Sequence, residues 1–190
     1  MTQTPEPRFG LLGEEDARKA AVDAGVPEYM ADLNVFRMLL KSGTAANGIN
    51  QALFHILFKS ELDNRLRELI IMRIAWVTGS VYEWGQHYRI ARGVGITDDE
   101  ITGLREWRAF DGFGDADRAV LAATDDILDD GRVSDATWAE CAALFSEPEL
   151  VATLAAIGLW QMMSAVLESL RVPLDDDLGA PWPPDGAAPR

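Results

Sequence analysis

Apolar residues recur along this chain at three- and four-residue intervals, and no stretch alternates with period two long enough to make a strand. Met30, Leu33, Phe36, Leu39 and Leu40 fall on one face of a helix over residues 29–41. Residues 45–59 carry Leu53, Phe54, Ile56, Leu57 and Phe58, so dense a run that this helix is expected to be buried rather than amphipathic. Residues 64–78 hold two apolar stripes. One is Leu66, Leu69, Ile70, Ile74 and Val77; the other is Met72, Ala75 and Trp76, with Glu68 in line with it. A short polar helix, EEDARKAAVDA, precedes these and ends at Gly25 and Pro27. Another spans 80–92 and stops at Gly93 and Gly95. Thr97 and Glu100 have the spacing of a capping box that opens the next. Helices over 116–129, 135–145 and 147–170 complete an all-α chain of about eight helices.

The pattern supports one helical domain over 1–171, with an ample core for a chain of 190 residues, 48% of them hydrophobic. Residues 172–190 hold five prolines and the run Asp175-Asp176-Asp177, which excludes a helix and predicts an extended tail. Trp182 within it suggests that the tail docks on something, such as a neighbouring subunit. Residues 150–167 are almost free of charge and reach the length of a minimal membrane span. Thr153, Gln161, Ser164 and many alanines favour a core or oligomer-interface helix instead.

Charge narrows the function. The formal net charge is -14, from 31 acidic and 17 basic side chains. Nucleic-acid binders present a basic footprint, so no nucleic-acid partner is expected, and no anionic membrane surface. The single cysteine, Cys141, cannot form an intrachain disulfide and reads as a small core residue. The first residues show no positive n-region followed by an apolar run, so no signal peptide is expected. These features together suit the cytoplasm. Two histidines, His55 and His87, lie too far apart for a ligand pattern, so no metal site is expected. His55 has no acidic residue one turn away and reads as a core or interface histidine.

The chemistry concentrates in ELIIMRIAWVTGSVYEWGQH, residues 68–87. Gly79 ends one helix and Ser80 starts the next. Glu83 and His87, four apart, share a face of the second helix. A carboxylate in an apolar stripe, as at Glu68, is costly unless protonated or paired. Glu68 could instead be anchored in a buried ion pair by Arg73 or Arg65. Ser80 and Glu83 also have the spacing of a capping box, and the helix start would favour the ionised form of Glu83. Both roles can hold, because a helix start also binds anions. Trp76, Tyr82 and Trp84 read as core residues, one or two of which wall a pocket. Between Arg65 and Arg92, five arginines (Arg65, Arg67, Arg73, Arg89, Arg92) outnumber two acids, a spot that would attract a small anion unless the arginines pair with acids elsewhere.

The spacing Glu68-x11-Ser80-x2-Glu83-x3-His87, with RLRELIIMRIAW before it and IARGVGITDDEI after it, resembles the carboxymuconolactone decarboxylase family, which includes alkylhydroperoxidase D-like proteins. In the peroxidase branch the pattern is Glu-x11-Cys-x2-Cys-x3-His. Here Ser80 stands at the first cysteine and Glu83 at the second. The resemblance implies the alkylhydroperoxidase D-like helical fold and a homo-oligomer, a trimer or a hexamer. Dithiol peroxide reduction needs a thiolate and a resolving thiol, which serine and glutamate cannot supply. The family's other branch resembles a cofactor-free lyase on carboxylated lactones. Loss of carbon dioxide needs a polarised carbonyl to accept the carbanion and an acid to reprotonate carbon. The expectation is therefore a decarboxylase-like or related acid–base enzyme on a small, carboxylated, cyclic substrate. His87 would shuttle the proton, Glu68 and Glu83 would tune it, and Ser80, Trp76, Tyr82 and Trp84 would meet the substrate. The alternative is an inert member that binds a small ligand or serves as an assembly partner.

Overall fold

A computed structural model describes residues 6–176, 186, 187 and 189. Among them are nine α-helices, two 3-10 segments and no strand. The helices are α1 (Glu14–Ala24), α2 (Asn34–Leu39), α3 (Gly43–Phe58), α4 (Asn64–Thr78), α5 (Val81–Gly93), α6 (Asp98–Gly103), α7 (Asp115–Asp130), α8 (Asp135–Leu144) and α9 (Glu147–Leu170). The 3-10 segments are Glu28–Asp32 and Leu104–Ala109.

The two apolar stripes of α4 make it the central helix. Leu69, Ile70, Ile71, Met72, Ile74 and Ala75 are fully buried against α5, α7 and α9. Each large side chain among them contributes roughly 1.5–3 kcal/mol by leaving water. Asp63 caps the start of α4 by accepting from the backbone N–H groups of Arg65 and Leu66. Its end is Gly79, whose φ of 76° is in the left-handed region. The chain then doubles back into α5, so residues twelve or more apart in sequence face each other across the α4–α5 junction. A second core joins α1 and α2 to the end of α9 through Ala17, Phe36, Leu40, Met163 and Leu167.

Three expectations change. Residues 29–41 are not one helix. Leu33 is extended (φ −88°, ψ 132°), and α2 restarts at Asn34 with its backbone N–H donated to the Asp175 carboxylate at 2.7 Å. That cap comes from 141 residues away and has no local signal. Second, α3 is not buried: Ala46 and Asn50 are its only buried residues, and Phe54 and Phe58 are 42% and 68% exposed. Its apolar density is turned outward because α3 lies on the flank, against α1, α2 and α9. Third, α9 is long and apolar enough to cross a membrane, yet it packs along α4 with Leu150, Ile157, Trp160 and Leu167 buried. It is a core helix. The Thr97–Glu100 capping box is present as expected.

The first residues of the tail are extended and dock on this chain itself. Asn34 Nδ2 donates to the carbonyls of Pro173 and Leu174, and the Tyr82 hydroxyl donates to Asp175 at 2.7 Å. Trp182 lies outside the described residues.

Candidate active site

The αL turn at Gly79 sets α5 against α4, so that His87 meets Glu68. The Nδ1 of His87 donates to Glu68 Oε2 at 2.7 Å. The other oxygen of Glu68 accepts from the Arg67 guanidinium at 3.1 Å. Arg67 in turn donates to the Leu57 carbonyl and the Asn64 side chain. Glu68 is fully buried, and Arg67 and His87 nearly so. Burial pushes the Glu68 carboxyl up, but His87 and Arg67 outweigh it and hold the group below its ordinary value. Glu68 is therefore an anchored carboxylate and an acceptor only.

That fixes the tautomer of His87 as Nδ1–H and leaves Nε2 to do chemistry. Trp160 on α9 donates its indole N–H toward Nε2 at 3.4 Å, with the two rings edge to face at 5.8 Å. Glu83 Oε2 lies 3.9 Å from the same nitrogen and has no hydrogen-bond partner. Burial pushes Glu83 up to about 7, with Glu68 adding to the rise and His87 opposing it. For His87, burial disfavours the cation, but Glu68 and Glu83 raise its pKa overall. Two groups that can each take up a proton, Nε2 of His87 and the carboxyl of Glu83, thus lie side by side with both pKa values raised. This is the arrangement that proton transfer near neutral pH requires.

Several expectations are revised. Arg67, not Arg73 or Arg65, anchors Glu68. Side chains one apart do not face each other around an isolated helix, so the pair depends on Arg67 folding inward along its own backbone. Arg73 instead pairs with Asp125, Arg65 with Glu100 and Asp117, and Arg92 with Asp98. The local excess of positive charge is therefore largely neutralised by acids elsewhere. Ser80 is not half of a capping box: it makes no side-chain cap bond, because Glu83 is turned into the core. For the same reason Glu83 does not have the lowered pKa that a helix start would give. Burial outweighs the dipole.

Ser80 is fully buried, its hydroxyl directed toward Glu168 without a hydrogen bond of ordinary geometry. Tyr82 is held by Asp175 on the far side of α5, at the edge of a cavity with Val81. Trp84 is fully buried in the main core, with Trp76 tilted against it at 5.5 Å. Trp160 was missed by the sequence reading. Its signal was present, since Trp160, Ser164 and Glu168 recur every four residues on α9. His55 is exposed on α3 with its ring nitrogen on the Gln51 carbonyl, so it is not a core histidine. Cys141 is buried, and burial pushes its thiol up. No group of three metal-ligating side chains occurs among the described residues.

The fold is the alkylhydroperoxidase D-like helical fold, here with Ser80 and Glu83 at the junction of α4 and α5. A sequence model of the carboxymuconolactone decarboxylase family matches residues 44–126, which include all four site residues. That stretch, under half of the chain, is similar to the family. No curated protein matches the sequence. Among solved structures, it is similar to an uncharacterised peroxidase-related protein with an alkylhydroperoxidase core from Ralstonia eutropha JMP134. That match has a TM-score of 0.74 and 15% identity, and covers 98% of this chain and 99% of the other. A debrominase in complex with 2,3,4-tribromopyrrole matches with a TM-score of 0.72 and 16% identity, over 93% and 97% of the two chains. A protein of unknown function from Agrobacterium tumefaciens matches with a TM-score of 0.66 and 22% identity, over 70% and 92%.

Proposed function

We propose that the chain is a cofactor-independent acid–base enzyme, decarboxylase-like, acting on a small carboxylated ring. One observation carries the reading: His87 is held on Nδ1 by an anchored carboxylate while its Nε2 faces a second carboxyl, Glu83, whose proton affinity is near neutral. In this reading Glu68 keeps the imidazole oriented and supports its cationic form. A proton held by Nε2 or by Glu83 is delivered to the substrate carbon as carbon dioxide leaves, or is taken from carbon in the reverse sense. The family match supports a small-molecule enzyme, and so does a structural relative that handles a brominated pyrrole. We read the protein as cytoplasmic and self-associating, in keeping with its acidic composition, its single thiol and the apolar flank of α3.

The test is turnover on a panel of carboxylated lactones and related ring acids. His87→Gln keeps a hydrogen-bonding side chain but cannot exchange a proton at neutral pH. It is expected to lower turnover about 10²–10⁴-fold with the fold intact. Unchanged turnover would remove His87 from the mechanism.

A second reading, a ligand-binding member without turnover, is favoured by the depth of the pair: His87 is only 9% exposed and Glu83 6%. Saturable binding of a ring acid that the wild-type protein never converts would establish it. Thiol peroxidase activity is the least supported, because Ser80 and Glu83 carry no thiol and Cys141 is buried with its thiol pushed up.

A further inference from the structure

A cavity of about 240 Å³ lies where the start of α5 meets the end of α9 and the chain beyond it. Val81, Leu167 and Leu174 give it apolar walls, and Tyr82, Glu168 and Arg171 supply its polar groups. The acid–base reading makes no use of Glu168 or Arg171.

Arg171 is unusual in its backbone. Its φ of 55° and ψ of 55° place it in the left-handed region, where helices commonly end on glycine. It is the non-glycine residue with positive φ among the described residues. Its guanidinium is exposed and pairs with no carboxylate among them. The surroundings suit an anion. The carbonyls that would make the end of α9 negative are already taken. Val172 N–H donates to Leu167, Arg171 N–H to Glu168, Arg8 Nε to Ser169 and Arg8 N–H to Leu170. The start of α5, by contrast, has no side-chain cap, so the first N–H groups of that helix lack intrahelical partners and carry its positive end. Ser80, fully buried, directs its hydroxyl toward Glu168. Burial pushes the Glu168 carboxyl above its ordinary value, opposed by Ser80.

We propose that this cavity receives the carboxylate-bearing end of a small ring acid, with Arg171 and the start of α5 as its anion receptor and Val81, Leu167 and Leu174 as the ring's apolar walls. The volume equals about eight waters at roughly 30 Å³ each, which suits one ring and one carboxylate. The inference rests on the acid–base reading only for the choice of a ring acid as ligand.

The experiment is calorimetric titration of the full chain with benzoate and with its uncharged isostere benzamide, alongside melting curves. Wild type is expected to bind benzoate saturably and benzamide at least about tenfold more weakly. Arg171→Gly removes the guanidinium but suits the left-handed backbone. It is expected to melt at the same or a higher temperature while weakening benzoate at least about tenfold. Arg171→Lys should recover part of the loss. Leu174→Trp, which fills the cavity from the tail side, should weaken both compounds. Absence of saturable benzoate binding by wild type at millimolar concentration would overturn the proposal, as would equal binding of benzamide or undiminished benzoate binding in Arg171→Gly. Turnover that depends on His87 but not on Arg171 would remove this cavity and leave the enzyme. Arg171-dependent benzoate binding with no turnover of any ring acid would leave the cavity and remove the enzyme.

Discussion

Replacing Glu83 by glutamine should stabilise the protein, and only at neutral and alkaline pH. Glu83 is 6% exposed, its Oε2 has no hydrogen-bond partner, and the nearest cationic group is His87 Nε2 at 3.9 Å. Its carboxyl ionises at about 7 in the folded protein against an ordinary value of 4.5. Between those values the unfolded chain releases the proton first. Folding stability therefore falls as pH rises from 4.5 toward 7 and stays lowered above it. The gap, at roughly 1.36 kcal/mol per pH unit, amounts to about 3 kcal/mol. Glutamine has nearly the same shape and cannot ionise. At pH 4.5 the two proteins should differ by no more than about 1 kcal/mol, the cost of an altered hydrogen-bond donor. At pH 8 the variant should lead by about 3 kcal/mol, or roughly 6–12 °C in melting temperature for a chain of this size. His87 acts in the same direction. Its folded pKa is raised, so its contribution is complete below its unfolded value and is lost as pH rises through the folded one, which leaves a residual slope in the variant. The assay is thermal melting by circular dichroism from pH 4.5 to 8. Parallel curves for the two proteins, or a variant less stable at pH 8, would refute the reasoning: Glu83 would then be ionised and well paired.

Glu68→Gln should cost about 3–5 kcal/mol at neutral pH, because it leaves Arg67 without its buried counter-charge, and the deficit should narrow on acidification as Glu68 itself protonates in the wild type; a uniform deficit at all pH values would argue against an anchored carboxylate. Phe58→Glu places a charge on the exposed apolar flank of α3, and light scattering is expected to show a wild-type oligomer shifting toward monomer; a wild type already monomeric would dismiss that flank as an interface. Cys141→Ser should leave ring-acid turnover intact, and wild type should show no thiol-dependent peroxide reduction; peroxide turnover abolished by this substitution would reverse the reading of Ser80 and Glu83.

The chain's own periodicity determined that it is helical, where most of the helices run, and that α4 lies at the centre, because apolar positions on both faces of α4 can be satisfied only by burial. The break at Gly79 and the shared helical face of Glu83 and His87 were legible in the sequence; that Glu68 is the carboxylate bonded to the ring was not. What the sequence could not carry was the outcome of competition for partners. Glu83 had the position of a capping-box acid, yet desolvation by α4 and α9 decides its state, and desolvation is a property of what packs around a group. Arg67 won Glu68 over Arg73 because Asp125 on α7 had claimed Arg73, a pairing across 52 residues. Trp160, Glu168 and Arg171 reach the α5 side only because α9 packs beside α4 and α5. The break at Leu33 depends on a carboxylate from the tail. Local rules see neighbours within a turn or two; ionisation state, ion pairing and cavity walls are set by groups that only the folded chain brings together.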